Sequence, residues 1–167
     1  EKMRLRSLDI KGFKSFAEKT QINFENNITG IVGPNGCGKS NVVDAIRWVL
    51  GEQKTKALRL EKMDNMIFNG TKDKAAANVA EVTLTLDNTR NLLPTEFSSV
   101  TITRTVERDG DSSYKLNGVS CRLKDIRDLF MDTGKKGEEL IAEYLEKQLQ
   151  NKQITHFEWL NKSKESA

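Results

Sequence analysis

The stretch Gly33-Pro34-Asn35-Gly36-Cys37-Gly38-Lys39-Ser40 reads GPNGCGKS and fills the spacing G-x-x-x-x-G-K-[ST] at every fixed position. Its flanks suit the same template. Ile28, Ile31 and Val32 form a short apolar lead-in, predicted as a buried strand that ends at Gly33. The segment 41–50, NVVDAIRWVL, is apolar on nearly every side, which predicts a helix packed on a sheet. Gly51 follows as a residue able to take positive φ and end that helix. A strand, loop and helix in this order suit a polyanion. Gly33, Gly36 and Gly38 let the backbone approach closely, so that its N–H groups converge on phosphate oxygens at the positive end of a helix. Lys39 is predicted to reach the β- and γ-phosphates, and the Ser40 hydroxyl to take one position on Mg²⁺. The expectation is a chain that binds a nucleoside triphosphate.

Composition narrows the class further. A length of 167 residues suffices for one domain with its own core and an appendage. Hydrophobic residues make up 37% and charged residues 31%, a balance that suits a polar, folded chain rather than a disordered one. No run of 18 apolar residues occurs, so no membrane-spanning helix is expected. The opening EKMRLRSLDIKGF lacks the apolar centre of a secretory leader. Cys37 and Cys121 lie far apart, form no metal-ligand spacing and suit a reducing cytoplasm. His156 is the single histidine, which excludes a multi-histidine metal site. A net charge of +3 says little about an anionic partner.

The rest of the chain reads as strands around that unit. Residues 3–10 and 20–24 alternate, with Leu5, Ile22 and Phe24 among the inward candidates. The segment KGFKSF at 11–16 is a turn, with Phe13 and Phe16 expected in the core. Residues 63–68 form an apolar patch ending at Asn69-Gly70, and 71–78 a lysine-rich loop. VAEVTLTL at 79–86 and SVTITRTV at 99–106 are period-2 strands. Arg108-Asp109-Gly110-Asp111 predicts a hairpin turn into a strand at 113–116, and Asn117-Gly118 a second tight turn. RLKDIRDLFM at 122–131 has helical spacing and ends at Thr133-Gly134. Beyond it, 138–150 reads as an amphipathic helix and 154–160 as a short strand. Trp48 is expected in the core, and neither Asp44 nor Asp64 follows the apolar strand that a metal-binding acid of this kind requires.

Taken together, RLRSLDIKGFKSF, GIVGPNGCGKSNVVDAIRWVLGEQ, LRLEKMDNMIFNG and CRLKDIRDLFMDTG resemble the N-terminal ATPase half-head of bacterial SMC (structural maintenance of chromosomes) proteins. The resemblance covers about residues 3–134 and implies an α/β fold, an ABC-type P-loop half-head. Its mixed sheet, with antiparallel strands, would wrap the phosphate loop. Residues 1–134 would form the lobe, and 135–167 a divergent helical tail that faintly resembles the start of a restriction-endonuclease-like domain. The cofactors implied are ATP and Mg²⁺, held by Gly33 to Ser40 with Asn41 beside them. Lys14 and Ser15 would lie near the base and ribose. Arg59, 59 − 39 = 20 residues after Lys39, would reach the nucleotide in an engaged head dimer. Lys62, Arg122 and Lys124 would face DNA without sequence preference. The implied partners are DNA, a second SMC head, and the C-terminal half of the head, which supplies the signature and acidic motifs. A nucleoid-associated place in the cytoplasm follows from the same resemblance. The family's γ-phosphate-sensing glutamine has no counterpart in KKGEELIAEYLEKQLQ, although Gln148, Gln150 and Gln153 lie nearby. Alternative readings are a related DNA-repair ATPase head and a non-hydrolysing half-head that serves as an interaction module.

Overall fold

The computed structural model describes residues 4–23, 39–51, 53, 63–89 and 95–131. The lead-in strand, the glycine loop up to residue 38, Phe24 and everything predicted beyond residue 131 lie outside the described residues. Six strands are described: β1 (Arg4–Lys11), β2 (Thr20–Asn23), β3 (Val79–Asp87), β4 (Ser99–Glu107), β5 (Ser112–Leu116) and β6 (Val119–Cys121). Two α-helices, α1 (Lys39–Val49) and α2 (Leu123–Met131), and a 3₁₀ turn at Met63–Met66 complete the set. The strands form one sheet in the order β2-β1-β3-β4-β5-β6, antiparallel at every described pairing.

Alternation sorts the sheet into two faces. Ala80, Val82, Leu84 and Leu86 of β3 are buried, as are Val100 and Ile102 of β4. Their registers align side chains into rows that cross the sheet. One row runs Ile22, Leu8, Leu84, Ile102; the next runs Thr20, Ile10, Val82, Arg104, Tyr114, Cys121. Leu5 and Leu8 are three apart, a spacing that strict alternation sends to opposite faces. Both are buried because the β1–β3 register shifts between Leu5 and Ser7, a bulge that turns the strand once. On the opposite face the chain presents threonines, with Thr83 and Thr103 Oγ1 atoms 3.0 Å apart.

Helix α1 lies over β3 and β4 on the apolar side. Val42, Ala45, Ile46, Trp48 and Val49 from the helix, with Leu50 after it, join the sheet residues, Phe13, Phe16 and Ile126 in one core. The 11–16 turn enters this core through its two phenylalanines. Gly12 makes that possible. Its φ is +67°, and a Cβ there would fall 2.1 Å from the Val79 carbonyl oxygen. The Phe68 N–H donates to the Gly12 carbonyl at 2.8 Å and the Lys14 N–H to the Met66 carbonyl at 2.6 Å, so the turn is stitched to 66–68.

The hairpin turns follow their residue types. Gly110 takes φ +98° between β4 and β5, and Asn117 and Gly118 take +49° and +79° between β5 and β6. The Asn117 side chain also accepts from the Thr101 N–H at 2.7 Å, fixing the turn to β4. Strand β6 is an addition to the expected elements. Three residues are too few for alternation to register, and the strand exists because the Asn-Gly turn returns the chain beside β5.

The two glycines separate turn strain from close approach. Gly110→Ala meets nothing within 4 Å and is expected to cost about 1 kcal/mol for the left-handed backbone alone. Gly12→Ala adds a collision with backbone and is expected to cost upwards of about 3 kcal/mol. Urea midpoints of the two variants check this; equal losses would contradict the packing of the 11–16 turn.

Candidate nucleotide-binding site

Helix α1 begins at Lys39, so the last two residues of the GPNGCGKS stretch form its first turn. The other six residues of that stretch, and Arg59 and Lys62, lie outside the described residues, and of Lys39 and Ser40 only the backbone is described. What the structure supplies is the helix that follows the stretch and, among the described residues, the contacts that hold it. The first turn carries no acidic residue. Its first amides have no intrahelical partner and define the positive end of the helix dipole. An anion approaching that end meets no carboxylate from the turn itself.

The carbonyl end is occupied by cations. Arg104 Nη1 donates to the Trp48 carbonyl at 2.7 Å, and Arg127 Nη2 of α2 donates to the Gly51 carbonyl at 3.2 Å. Arg47 adds a third positive charge in the last helical turn. Gly51, at φ +115°, closes the helix with its N–H on the Trp48 carbonyl at 3.0 Å. The Arg104 guanidinium lies between two rings, 4.7 Å from the Trp48 centroid and 4.9 Å from that of Tyr114. Phe13 meets the same indole at 5.4 Å. Burial pushes the Tyr114 hydroxyl above its ordinary range, against the opposing pull of Arg104. Sequence reasoning missed Arg104. The signal was present, because in SVTITRTV the arginine falls in the inward register with Val100 and Ile102.

Two contacts clamp the 11–16 turn to the other end of α1. Asn41 Nδ2 donates to Ser15 Oγ at 2.9 Å, and Lys14 Nζ pairs with Asp44 Oδ2 at 2.5 Å. Asn41 and Asp44 are three apart and so share a helix face. The structure thereby brings together Lys14, Ser15 and Asn41, three of the residues the sequence singled out. Lys14 itself adopts φ +50°, a conformation that costs a side-chain-bearing residue energy and is held here by its neighbours. Asp44 is buried at 2% exposure, which a carboxylate tolerates only with a partner such as Lys14.

Arg122 and Lys124 lie elsewhere, exposed at the start of α2. Arg122 precedes the helix, and its N–H donates to Asp125 Oδ2 at 2.9 Å, one half of a capping box. That backbone bond, with the Arg122 guanidinium beside it, holds the Asp125 carboxyl below its usual range. Part of the Arg122 charge is therefore answered within the chain. The Cys121 thiol is raised by burial and by Asp125, which leaves less thiolate for redox chemistry. Cys37 lies outside the described residues.

A helix that opens on Lys39 and Ser40, with no acid in its first turn and its apolar face seated on an antiparallel sheet, has the architecture of the N-terminal lobe of an ABC-type P-loop ATPase head. The chain belongs to the RecF/RecN/SMC N terminal domain family, whose match spans residues 4–141. Over 132 residues it is 61% identical to the chromosome partition protein Smc of Halothermothrix orenii, an alignment that takes in 79% of this chain and 11% of that protein. It thus spans about a tenth of the length of the curated relatives it matches. Among solved structures, the Smc head domain of Pyrococcus furiosus, with an extended coiled coil and bound to the C-terminal domain of ScpA, superposes with a TM-score of 0.68 at 40% identity. That alignment covers 78% of this chain and 33% of the other. A structure from work on ATP-driven dimerization and DNA-stimulated activation of SMC ATPases superposes with a TM-score of 0.69 at 35% identity, over 90% of this chain and 98% of that one.

Arg104→Lys keeps the charge but loses the planar group that both stacks and donates. It is expected to lower stability by about 2 kcal/mol. A shift in the urea midpoint checks this, and a loss below about 0.5 kcal/mol would contradict the sandwich as a support of α1.

Proposed function

We propose that this chain is the ATP-binding N-terminal lobe of an SMC-type ATPase that organises DNA in chromosome condensation and partitioning. The observation that carries this is the polarity of α1: three arginines gather at its carbonyl end, and its amino end, reached through Gly33 to Lys39, is free of acid. Backbone amides of 33–38 and the first turn of α1 would cradle the triphosphate, with Asn41 at its edge. Lys39 would contact the β- and γ-phosphates as a point charge. Mg²⁺ supplies charge neutralisation on the phosphate oxygens, and Ser40 is the side chain we assign to it. Arg59 is assigned to nucleotide contact in the engaged dimer.

Hydrolysis needs a positioned water and a group that orients it. No residue of this chain is assigned that role, so hydrolysis belongs to the complete head, with the C-terminal half and a second head in place. Lys62, Arg122 and Lys124 are the candidate phosphate contacts to DNA, a sequence-independent interaction. Residues 135–167 are assigned to an appendage of the lobe, and the complete protein to the nucleoid within the cytoplasm. The identity to Smc proteins supports this reading over a related DNA-repair head.

Thermal unfolding of the chain with and without Mg-ATP tests the proposal. At a nucleotide concentration a hundred times Kd, binding adds about 2.7 kcal/mol. That is a rise in Tm of several degrees for a chain of this size, absent in Lys39→Ala. Phosphate release by the chain is expected to stay at the Lys39→Ala level. No shift in Tm would overturn the nucleotide reading; release that Lys39→Ala abolishes would overturn the assignment of hydrolysis to the complete head.

A further inference from the structure

We propose that the outer face of the sheet, turned away from α1, pairs with the same face of a second copy of this chain. The pairing is separate from the nucleotide-binding reading and uses no residue of the phosphate loop. On this face the middle of the sheet carries short hydroxyl side chains: Ser7, Thr83, Thr85, Thr101 and Thr103. One row across the sheet breaks that pattern. It runs Gln21, Asp9, Thr83, Thr103, Lys115, Ser120 from β2 to β6. Asp9 Oδ1 is buried and has no hydrogen-bond partner. Burial lifts the Asp9 carboxyl above its ordinary range, against a weaker pull from Lys19. A desolvated carboxylate, where hydroxyls fill the neighbouring positions, is a cost to the isolated chain. The complementary charge stands in the same row, on the exposed Lys115.

Asp9 and Lys115 are three strands apart, about 14 Å, and cannot meet within one chain. A two-fold axis brings them together. The strand order is such that an axis running along the strands, between β3 and β4, exchanges β3 with β4, β1 with β5 and β2 with β6. Two faces related by that axis set Asp9 against the partner's Lys115 twice, and Thr83 against the partner's Thr103 at the centre. In the next row Lys11 meets the partner's Ser113 and Glu81 the partner's Thr105, so like charges do not face each other directly. Stacked sheets lie about 10 Å apart, a gap that a lysine and an aspartate side chain span together. The paired area, six strands by about five residues, is about 400 Å². A stable complex covers roughly 800 Å² per partner, so the expected pair is weak and reversible.

Sedimentation equilibrium of the 167-residue chain, without nucleotide and at low salt, tests this. A dimer with a Kd of about 0.1 mM is expected, in the weak range that suits a face of this size. Asp9→Lys and Lys115→Asp each set like charges in opposition, and each is expected to weaken the pair at least about tenfold. An equimolar mixture of the two variants regains both charge pairs and is expected to associate as the wild-type chain does. Should Asp9→Lys not fold, Thr103→Arg takes its place: two arginines beside the axis are expected to weaken the pair to the same degree. A chain that stays monomeric up to about 1 mM, ten times the expected Kd, leaves the face to another partner and overturns the proposal. So does association that the charge reversals leave unchanged, or that the mixture fails to restore. Association that appears only with Mg-ATP and is lost in Lys39→Ala also overturns it, while leaving the nucleotide reading in place.

Discussion

A guanidinium buried between two aromatic rings holds helix α1 on its sheet. Arg104 reaches from β4 to the Trp48 carbonyl in the last turn of α1, stacks on Trp48 and Tyr114, and sits in the cross-sheet row beside Val82 and Tyr114. A buried charge of this kind is costly unless hydrogen-bonded and packed, and here it is both. Its position also has an electrostatic consequence. Positive charge at the carbonyl end complements the helix dipole, and Arg127 and Gly51 repeat the arrangement from α2. With the carbonyl end answered in this way, the first turn at the amino end carries no acidic residue.

The amino end is fixed by different means. There the chain uses a short turn, made possible by a glycine that tolerates the Val79 backbone and pinned by two phenylalanines in the core. Polar side chains then reach from the turn to the helix face, Lys14 to Asp44 and Ser15 to Asn41. The sheet, the turn and α2 thus meet on one eleven-residue helix. A loop that binds phosphate by its backbone needs such a foundation, because its own glycines supply freedom and no rigidity.

Much of this was legible in the residues. Alternation located β3 and β4, the Asp-Gly and Asn-Gly pairs located both hairpins, and apolar spacing located both helices, all within a residue or two. The candidate site was legible as a motif, through Gly33 to Ser40, and less so as a structure. Asp44 reads as an isolated acid in an apolar helix, and its partner lies thirty positions away in sequence. Arg104 reads as a solvated strand residue until its register is counted against Val100 and Ile102. The bulge that lets Leu5 and Leu8 share a face comes from pairing with β3, which no local pattern in β1 encodes. In each case the missing information was a contact between distant segments.

Backbone hydrogen exchange along α1 tests the account most directly, since the central claim is that sheet, turn and α2 hold this helix before any nucleotide arrives. Without ligand, the amides of residues 43–49 are predicted to exchange only through global unfolding, and Mg-ATP is predicted to add protection at the first turn beyond that baseline. Rapid exchange throughout 43–49 in the absence of nucleotide, becoming slow only on its addition, would contradict the claim: the helix would then be ordered by its ligand and not by Arg104 and the core beneath it.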